Sequence, residues 1–133
     1  MSRRHIHDAV ITSYEVRSKL REIELHIEFS HPDIGTEYSL IVFQGVEGYH
    51  LHSDSFGSII LDIETVPAAC ILKDFGAEIA ESYYWSGAFG AWAAKLETAA
   101  DLLEKRNVHG FLISSSIGLS GWILASTMTV LPA

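Results

Sequence analysis

The stretch from Glu22 to Phe29 reads EIELHIEF. Its odd positions are apolar and its even positions are polar, which is the period of two that a strand with one buried face requires. Further strand patterns cover Val10–Val16 before it and the runs 40–43, 49–54 and 59–64 after it. Because the connections between these runs are short, they predict a five-strand meander of antiparallel neighbours.

The period changes after the fifth strand. The run from Ala68 to Tyr83 predicts one helix, and the run from Phe89 to Leu103 predicts a second helix that ends near Asn107. Residues 111–130 then alternate again around a turn at 118–121 and predict a closing hairpin. The pattern predicts an α+β fold: a mainly antiparallel sheet of about seven strands, five before two helices and two after, with both helices packed on one face.

The composition indicates one domain with an acidic surface. The 133 residues, 48% of them hydrophobic, suit a single domain spanning 1–133 that buries a core without a disulfide or a metal. The 17 acidic and 9 basic residues give a formal charge of −8. This charge argues against nucleic acid and anionic membranes as partners, because both need clustered lysine and arginine. A basic protein or a small ligand fits better, although net charge also serves simply to keep a protein in solution.

The single cysteine, Cys70, lies among apolar residues, and we expect it to be buried. One cysteine cannot form an internal disulfide, which is typical of a reducing cytoplasm. The first residues carry no apolar signal-peptide core, and no run approaches the roughly 18 apolar residues that span a membrane. The sequence therefore predicts a cytoplasmic protein with no membrane partner.

Two histidines and an aspartate form a candidate metal site. His50, His52 and Asp54 are two residues apart, and side chains at that spacing point to the same side of a strand. Two imidazoles and a carboxylate suit zinc or another divalent metal. The pair His7 and Asp8 would add a ligand if the first residues fold nearby. The same residues would equally serve as the polar face of a strand without any metal.

Two candidate surfaces for a protein partner stand out. Glu22, Glu24 and Glu28 share the polar side of one strand, which gives an acidic sheet face that suits a basic partner if the helices cover the other face. The alternative is an ordinary solvated sheet face. Tyr84 and Trp85 are the second candidate, because the glycines at 87 and 90 would leave aromatic side chains exposed between the helices, and exposed Tyr and Trp often anchor interfaces. The alternative is that segment 83–92 belongs to the core, which the helical spacing of Tyr83, Phe89 and Trp92 favours.

No segment matches a catalytic motif. The Ser- and Gly-rich run 114–121 lacks the Gly-Lys-Ser/Thr ending of a phosphate loop and the Gly-x-Ser-x-Gly pattern of a nucleophile elbow. GxGxxG, HExxH and CxxC do not occur in the sequence either. We therefore expect a protein that is not an enzyme and that uses no cofactor.

Three short motifs resemble a set of small bacterial proteins of unknown function: His7-Asp8-Ala9, the run 42–46 and the run 115–122. Those proteins look like the immunity proteins of polymorphic toxin systems, whose β-rich chains also open with a His-Asp strand. The resemblance implies a bacterial cytoplasmic protein that binds a toxin and blocks it without catalysis. It also implies a structural role for the His-Asp pair, in which Asp8 caps a turn or bonds to the final hairpin.

The leading hypothesis is therefore a non-enzymatic protein-binding module, with an immunity protein as its specific form. A domain that binds a metal or small ligand through His50, His52 and Asp54 is the first alternative. A homo-oligomeric structural module, which pairs through edge strands or through Tyr84 and Trp85, is the second.

Overall fold

The structure is a computed structural model that describes residues 4–133. It confirms the predicted α+β class, with an antiparallel sheet and two α-helices. In chain order the elements are β1 (Val10–Arg17), β2 (Glu22–His31), β3 (Gly35–Gln44), β4 (Gly48–His52), β5 (Ile59–Pro67), α1 (Ala68–Ser86), a short 3₁₀ helix (Ala91–Ala94), α2 (Leu96–Lys105), β6 (His109–Ile117), β7 (Ser120–Ala125) and β8 (Thr127–Pro132).

The strand order differs from the predicted meander. The order is β4-β7-β6-β5-β1-β2-β3-β8, so among the first five strands only β1, β2 and β3 follow one another as hairpins. The predicted closing hairpin is confirmed, because β6 and β7 pair antiparallel across the short turn at 118–119. The prediction was wrong for β4 and β5, because the segment 45–47 is not a hairpin turn. Val46 N–H donates to the Arg21 carbonyl and Glu47 N–H donates to the Leu124 carbonyl, and these bonds carry the chain forward to pair with β7.

The last predicted strand is also divided in two. It breaks at Ser126, whose N–H donates to the Gln44 carbonyl at 2.9 Å. The bend at Ser126 lies beside the bend at 45–47. The chain passes from β3 into β4 at the bend 45–47 and from β7 into β8 at Ser126, so β3 pairs with β8 and β4 pairs with β7. At the far side β1 meets β5 through Val10 and Ile59. The eight strands therefore fold over themselves and enclose an inner face.

The inner face holds the first hydrophobic core. Ile23, Leu25 and Ile27 point inward from β2, as their alternation predicts. They meet buried side chains from β1, β3, β5, β6 and β7, and the largest of these partners are Phe43, Ile60, Phe111 and Ile123. Because β2 has one buried face, its glutamates must lie on the outer face of the sheet.

The second core lies between the helices and the outer face of β5, β6 and β7. Helix α1 packs on these three strands, and Trp122 and Leu124 of β7 are fully buried beneath the helical layer. The helix begins directly after Pro67, which ends β5 because proline has no N–H to donate to a neighbouring strand. The helix is closed by Gly87, whose φ of 67° is the left-handed conformation that is common just after a helix. The helices therefore cover one part of the outer face.

The second helix begins later than the apolar spacing predicts. Gly90, with φ of 88°, and Lys95, with an extended backbone, interrupt the run, so Trp92 belongs to the 3₁₀ helix and α2 starts at Leu96. Phe89 and Trp92 still pack beside Trp122 as a cluster of rings. The apolar spacing from Phe89 to Leu103 therefore predicted correctly which side chains turn toward the core, but it was wrong in predicting one continuous helix.

Cys70 is exposed, so the expectation that it is buried was wrong. Ala68, Ile71 and Leu72 turn toward the sheet, and Cys70 lies on the opposite side of the same helical turn. Among residues 4–133, no helix combines the length and the apolar character needed to cross a membrane.

Candidate functional site

The outer surface of β1 and β2 carries the acidic face, which consists of Glu15 and Arg17 from β1 and Glu22, Glu24, His26 and Glu28 from β2. Strand pairing places Glu15 opposite Glu24 and Arg17 opposite Glu22. Directly opposed residues point to the same side of a sheet. Glu22, Glu24 and Glu28 therefore share one face, as the alternation predicts, and they face away from the inner core.

Glu24 is the most enclosed glutamate of the acidic face. Its carboxylate lies 3.3 Å from Nη2 of Arg17 and 3.8 Å from Nε2 of His26, and the residue is only 9% exposed. The same Arg17 nitrogen lies 3.2 Å from Glu15, and this hydrogen-bonded carboxylate raises the pKa of the Arg17 guanidinium. Glu24 therefore serves the internal pairing of the face, which leaves Glu22 and Glu28 as the better placed contacts for a partner.

Apolar side chains lie beside the acidic face on β3 and β8. Tyr38 pairs with Glu28 and is 57% exposed, and Leu40 pairs with His26 on one side and Leu131 on the other. Leu131 is 43% exposed. These apolar residues point outward on the same side of the sheet as the glutamates, so they adjoin the acidic face.

A pocket of about 310 Å³ lies at the end of the acidic face. Arg17 and Glu22 line it together with the apolar side chains of Val16, Tyr49 and Phe89. Pockets that combine an apolar body with a few polar groups are typical binding places for a side chain or small molecule.

Tyr84 and Trp85 are exposed, as predicted. They lie near the end of α1 with 79% and 77% of their surfaces accessible, and their rings form an edge-to-face pair with centroids 5.1 Å apart. Because α1 packs on β5, β6 and β7, this pair belongs to the helical layer, whereas the acidic face belongs to β1 and β2. The two predicted partner surfaces are thus carried by different layers.

The structure does not bring His50, His52 and Asp54 together. The imidazoles of His50 and His52 lie 5.6 Å apart and share the outer side of β4, because His50 pairs with Trp122 and His52 with Ser120. Strand β4 ends at His52, and Ser53 takes a left-handed backbone with φ of 61° that turns the chain. Asp54 instead accepts a 3.0 Å hydrogen bond from the hydroxyl of Tyr14, and this bond raises the pKa of the phenol.

His50 and His52 instead border α1. Two adjoining pockets of about 180 and 360 Å³ separate β4 from the helix, and both are lined by His50, Glu78 and Trp122. Trp122 is 1% exposed, and among the described residues its indole N–H has no hydrogen-bond partner. A buried N–H without a partner is rare and often marks a place where water or a ligand binds.

His7 and Asp8 lie against β5 and not against the final hairpin. His7 Nδ1 donates to the Leu61 carbonyl at 2.6 Å, and Asp8 N–H donates to the Ile60 carbonyl at 2.8 Å. Nε2 of His7 lies 3.4 Å from the Asp8 carboxylate. Asp8 has φ of 65°, a left-handed conformation that Asp tolerates better than most residues, so the pair turns the chain into β1.

Sequence reasoning missed a third cluster, formed by His5, His31 and Glu37. Each offers one donor atom, and these atoms lie within 4.8 Å of one another. The backbone N–H of His5 donates to the Glu37 carboxylate at 2.9 Å, and this bond lowers the pKa of Glu37. The turn at 31–36 could have signalled that His31 and Glu37 are neighbours, but nothing in the sequence places His5 beside them.

Comparisons of the chain with models of protein families, with curated proteins and with solved structures find no match. The resemblance to immunity proteins therefore stays a prediction.

Proposed function

We propose that this protein is a non-enzymatic binding module that engages a basic protein partner through the acidic face. The observation that carries the proposal is the composition of the outer surface of β1 and β2, where four glutamates stand against one arginine and one histidine. The helices pack elsewhere, on β5, β6 and β7. The acidic face is therefore available to a partner.

The arrangement beside the acidic face suits a protein more than a small ion. Interfaces combine an apolar centre with a polar rim, and aromatic residues are enriched at their centres. Tyr38 and Leu131 provide exposed apolar surface next to Glu28, and the pocket beside Glu22 offers a recess for one side chain of a partner. Together these features place the acidic side chains of β2 beside the exposed apolar side chains of Tyr38 on β3 and Leu131 on β8.

The charge of the acidic face supports a basic partner through the rate of association. Like-signed charges on one surface create a field that steers an oppositely charged partner toward it. Glu15, Glu22 and Glu28 reinforce the overall charge of −8, because Arg17 offsets only one negative charge of the face. The field acts over about 8 Å at physiological ionic strength, so salt weakens it strongly.

The more specific form of the proposal is that the partner is a toxin and that the protein neutralises it in the bacterial cytoplasm. This form rests on the resemblance of His7-Asp8-Ala9 and the runs 42–46 and 115–122 to immunity-like proteins. The acidic face is compatible with blocking, because a blocking protein needs a complementary surface and no catalytic group. The cytoplasmic location rests on the single cysteine.

Affinity capture from the source organism tests the proposal. Three versions of the protein are compared at low and high salt: wild type, E22K/E28K, and the control D74K/D101K, which makes the same change of charge on exposed positions of α1 and α2. We expect wild type and control to retain one stoichiometric basic protein that is released as salt rises. We expect E22K/E28K to lose it. The captured protein is then expressed alone and together with wild type, and the toxin form predicts harm that coexpression relieves.

Equal capture by wild type and E22K/E28K would contradict the acidic face as the binding surface. A captured partner that is harmless when expressed alone would contradict only the toxin form.

A second candidate function, binding of a small ligand between β4 and α1, is favoured by the unpartnered indole N–H of Trp122. His50, Glu78 and Ser82 place polar groups around this pocket, while Phe89 and Trp122 supply apolar walls. A ligand that accepts the indole hydrogen bond would raise the melting temperature, because it binds only the folded state. A panel of small metabolites screened by thermal shift tests it, and a matching loss of the shift in His50→Ala is expected. An unchanged melting curve across the panel would weigh against it.

A further inference from the structure

The first residues that the structure describes cross one end of the inner core. Ile6 packs against that core, and Arg4 donates from Nη1 to the Tyr38 carbonyl and to the Ser39 hydroxyl, each at 3.2 Å. Between them, His5 stacks flat on Phe29, with ring centroids 4.4 Å apart and planes 7° from parallel. His5 therefore lies against the β2–β3 hairpin.

The pairing of β2 with β3 brings two further donor groups to the same place. Phe29 lies opposite Glu37, and His31 lies opposite Gly35 on the same side of the hairpin. The His5 and His31 rings meet edge to face at 4.6 Å. His5 contacts Glu37 through both its backbone N–H and Nδ1, the latter at 3.3 Å. Two imidazoles and one carboxylate thus converge from two distant parts of the chain.

We propose that His5, His31 and Glu37 bind one divalent transition-metal ion, and that the ion ties the segment 4–8 to the β2–β3 hairpin. The chemistry of the donors supports zinc, because two imidazoles and a carboxylate are a common zinc ligand set. Three protein ligands leave a fourth position for water or for a group on a partner.

The spacing of the donors fits this role after small rotations. Around a tetrahedral zinc ion with bonds of about 2.0–2.1 Å, neighbouring donor atoms lie roughly 3.3 Å apart. The donor atoms here already lie within 4.8 Å of one another, and Nδ1 of His5 lies 3.3 Å from Glu37. His5 is exposed, and the other two residues are partly exposed, so each side chain has room to turn toward an ion.

The site differs from the pair His50 and His52. Within residues 4–133, His5, His31 and Glu37 are the one set of three such residues whose donor atoms come this close. The pair on β4 has lost its expected carboxylate, since Asp54 bonds to Tyr14. His50→Ala/His52→Ala is therefore a matched control that removes two histidines and leaves the proposed ligands intact.

Zinc titration of the tag-free, full-length protein by calorimetry tests the proposal, with a thermal shift as a second measurement. We expect wild type and His50→Ala/His52→Ala to bind one zinc ion per chain. At zinc concentrations a hundredfold above the dissociation constant, both are expected to melt roughly 5 °C or more higher than without metal. His5→Ala, His31→Ala and Glu37→Gln are expected to weaken binding at least about tenfold, because each removes a ligand.

Cobalt provides an independent measurement, because Co²⁺ bound in a site of this kind absorbs visible light. The control variant should show the same Co²⁺ spectrum as wild type. His5→Ala keeps the test decisive if His31→Ala does not fold, because His5 is exposed and lies outside the sheet. Wild type that binds no zinc would overturn the proposal. Full binding by the three ligand variants, or loss of binding in the control variant, would overturn it as well.

Discussion

Replacement of Leu25 by alanine tests the central structural feature, the inner face of β2. Leu25 is fully buried, and it lies in register with Tyr14 of β1 on one side and Ile41 of β3 on the other. Because strands flank it on both sides, the backbone has little freedom to collapse into the space that the side chain leaves. Truncations of buried leucine cost about 2.7–5 kcal/mol, and the fixed surroundings place Leu25→Ala in the upper part of that range, about 3–5 kcal/mol.

Urea unfolding followed by circular dichroism measures this loss. With a slope of about 2 kcal/mol per molar urea, the midpoint should fall by roughly 1.5–2.5 M while the slope is unchanged. Glu22→Ala on the outer side of the same strand is the control, and it should change the stability by no more than about 0.5 kcal/mol. A loss below about 1 kcal/mol for Leu25→Ala, or equal losses for both variants, would refute the assignment of the two faces.

Three further predictions follow from individual contacts. Gly110→Ala should lower the free energy of unfolding by about 1–3 kcal/mol, because the added methyl group would lie 2.5 Å from Cγ1 of Ile71 in the helical core; chemical denaturation measures it, and an unchanged stability would contradict that packing. Tyr14→Phe should lower the free energy of unfolding by no more than about 1 kcal/mol, since the hydrogen bond from Tyr14 to Asp54 is largely exposed. A larger loss in the same assay would contradict this view of the bond as a minor surface contact. If the exposed Trp85 mediates self-association, light scattering should report a dimer at micromolar concentration that Trp85→Ser converts to a monomer, and a monomeric wild type would exclude this role.

The parts of the fold that depend on local pattern were predictable from the sequence. The alternation from Glu22 to Phe29 identified the buried and outer sides of β2, and the apolar spacing from Ala68 to Tyr83 identified α1. Each of these features is fixed by residues within a few positions of one another, which is the range over which periodicity carries information.

The features that depend on distant contacts were not predictable. The segment 45–47 resembles a short turn, but the partners of its backbone groups, Arg21 and Leu124, lie far away in sequence and turn it into a bend. The separation of Asp54 from His50 and His52 follows from the left-handed backbone at Ser53, where the sequence has no glycine to signal it.

For the candidate sites, too, local patterns were predictable from the sequence and contacts between distant residues were not. The position of Glu22, Glu24 and Glu28 on one face followed from alternation, but the burial of Glu24 did not, because it requires Arg17 from the neighbouring strand. The cluster that contains His5 depends on how the first residues cross the end of the core, and no local pattern encodes that path.

Stopped-flow kinetics give the decisive test of the proposed role of the acidic face. They measure how fast the captured partner associates with this protein across a range of ionic strengths. We expect wild type and D74K/D101K to associate rapidly at low salt and to slow steeply as the salt concentration rises. We expect E22K/E28K to associate at least about tenfold more slowly at low salt and to depend much less on salt, because its acidic face no longer attracts the partner. Equal rates and equal salt dependence for wild type and E22K/E28K would contradict the claim.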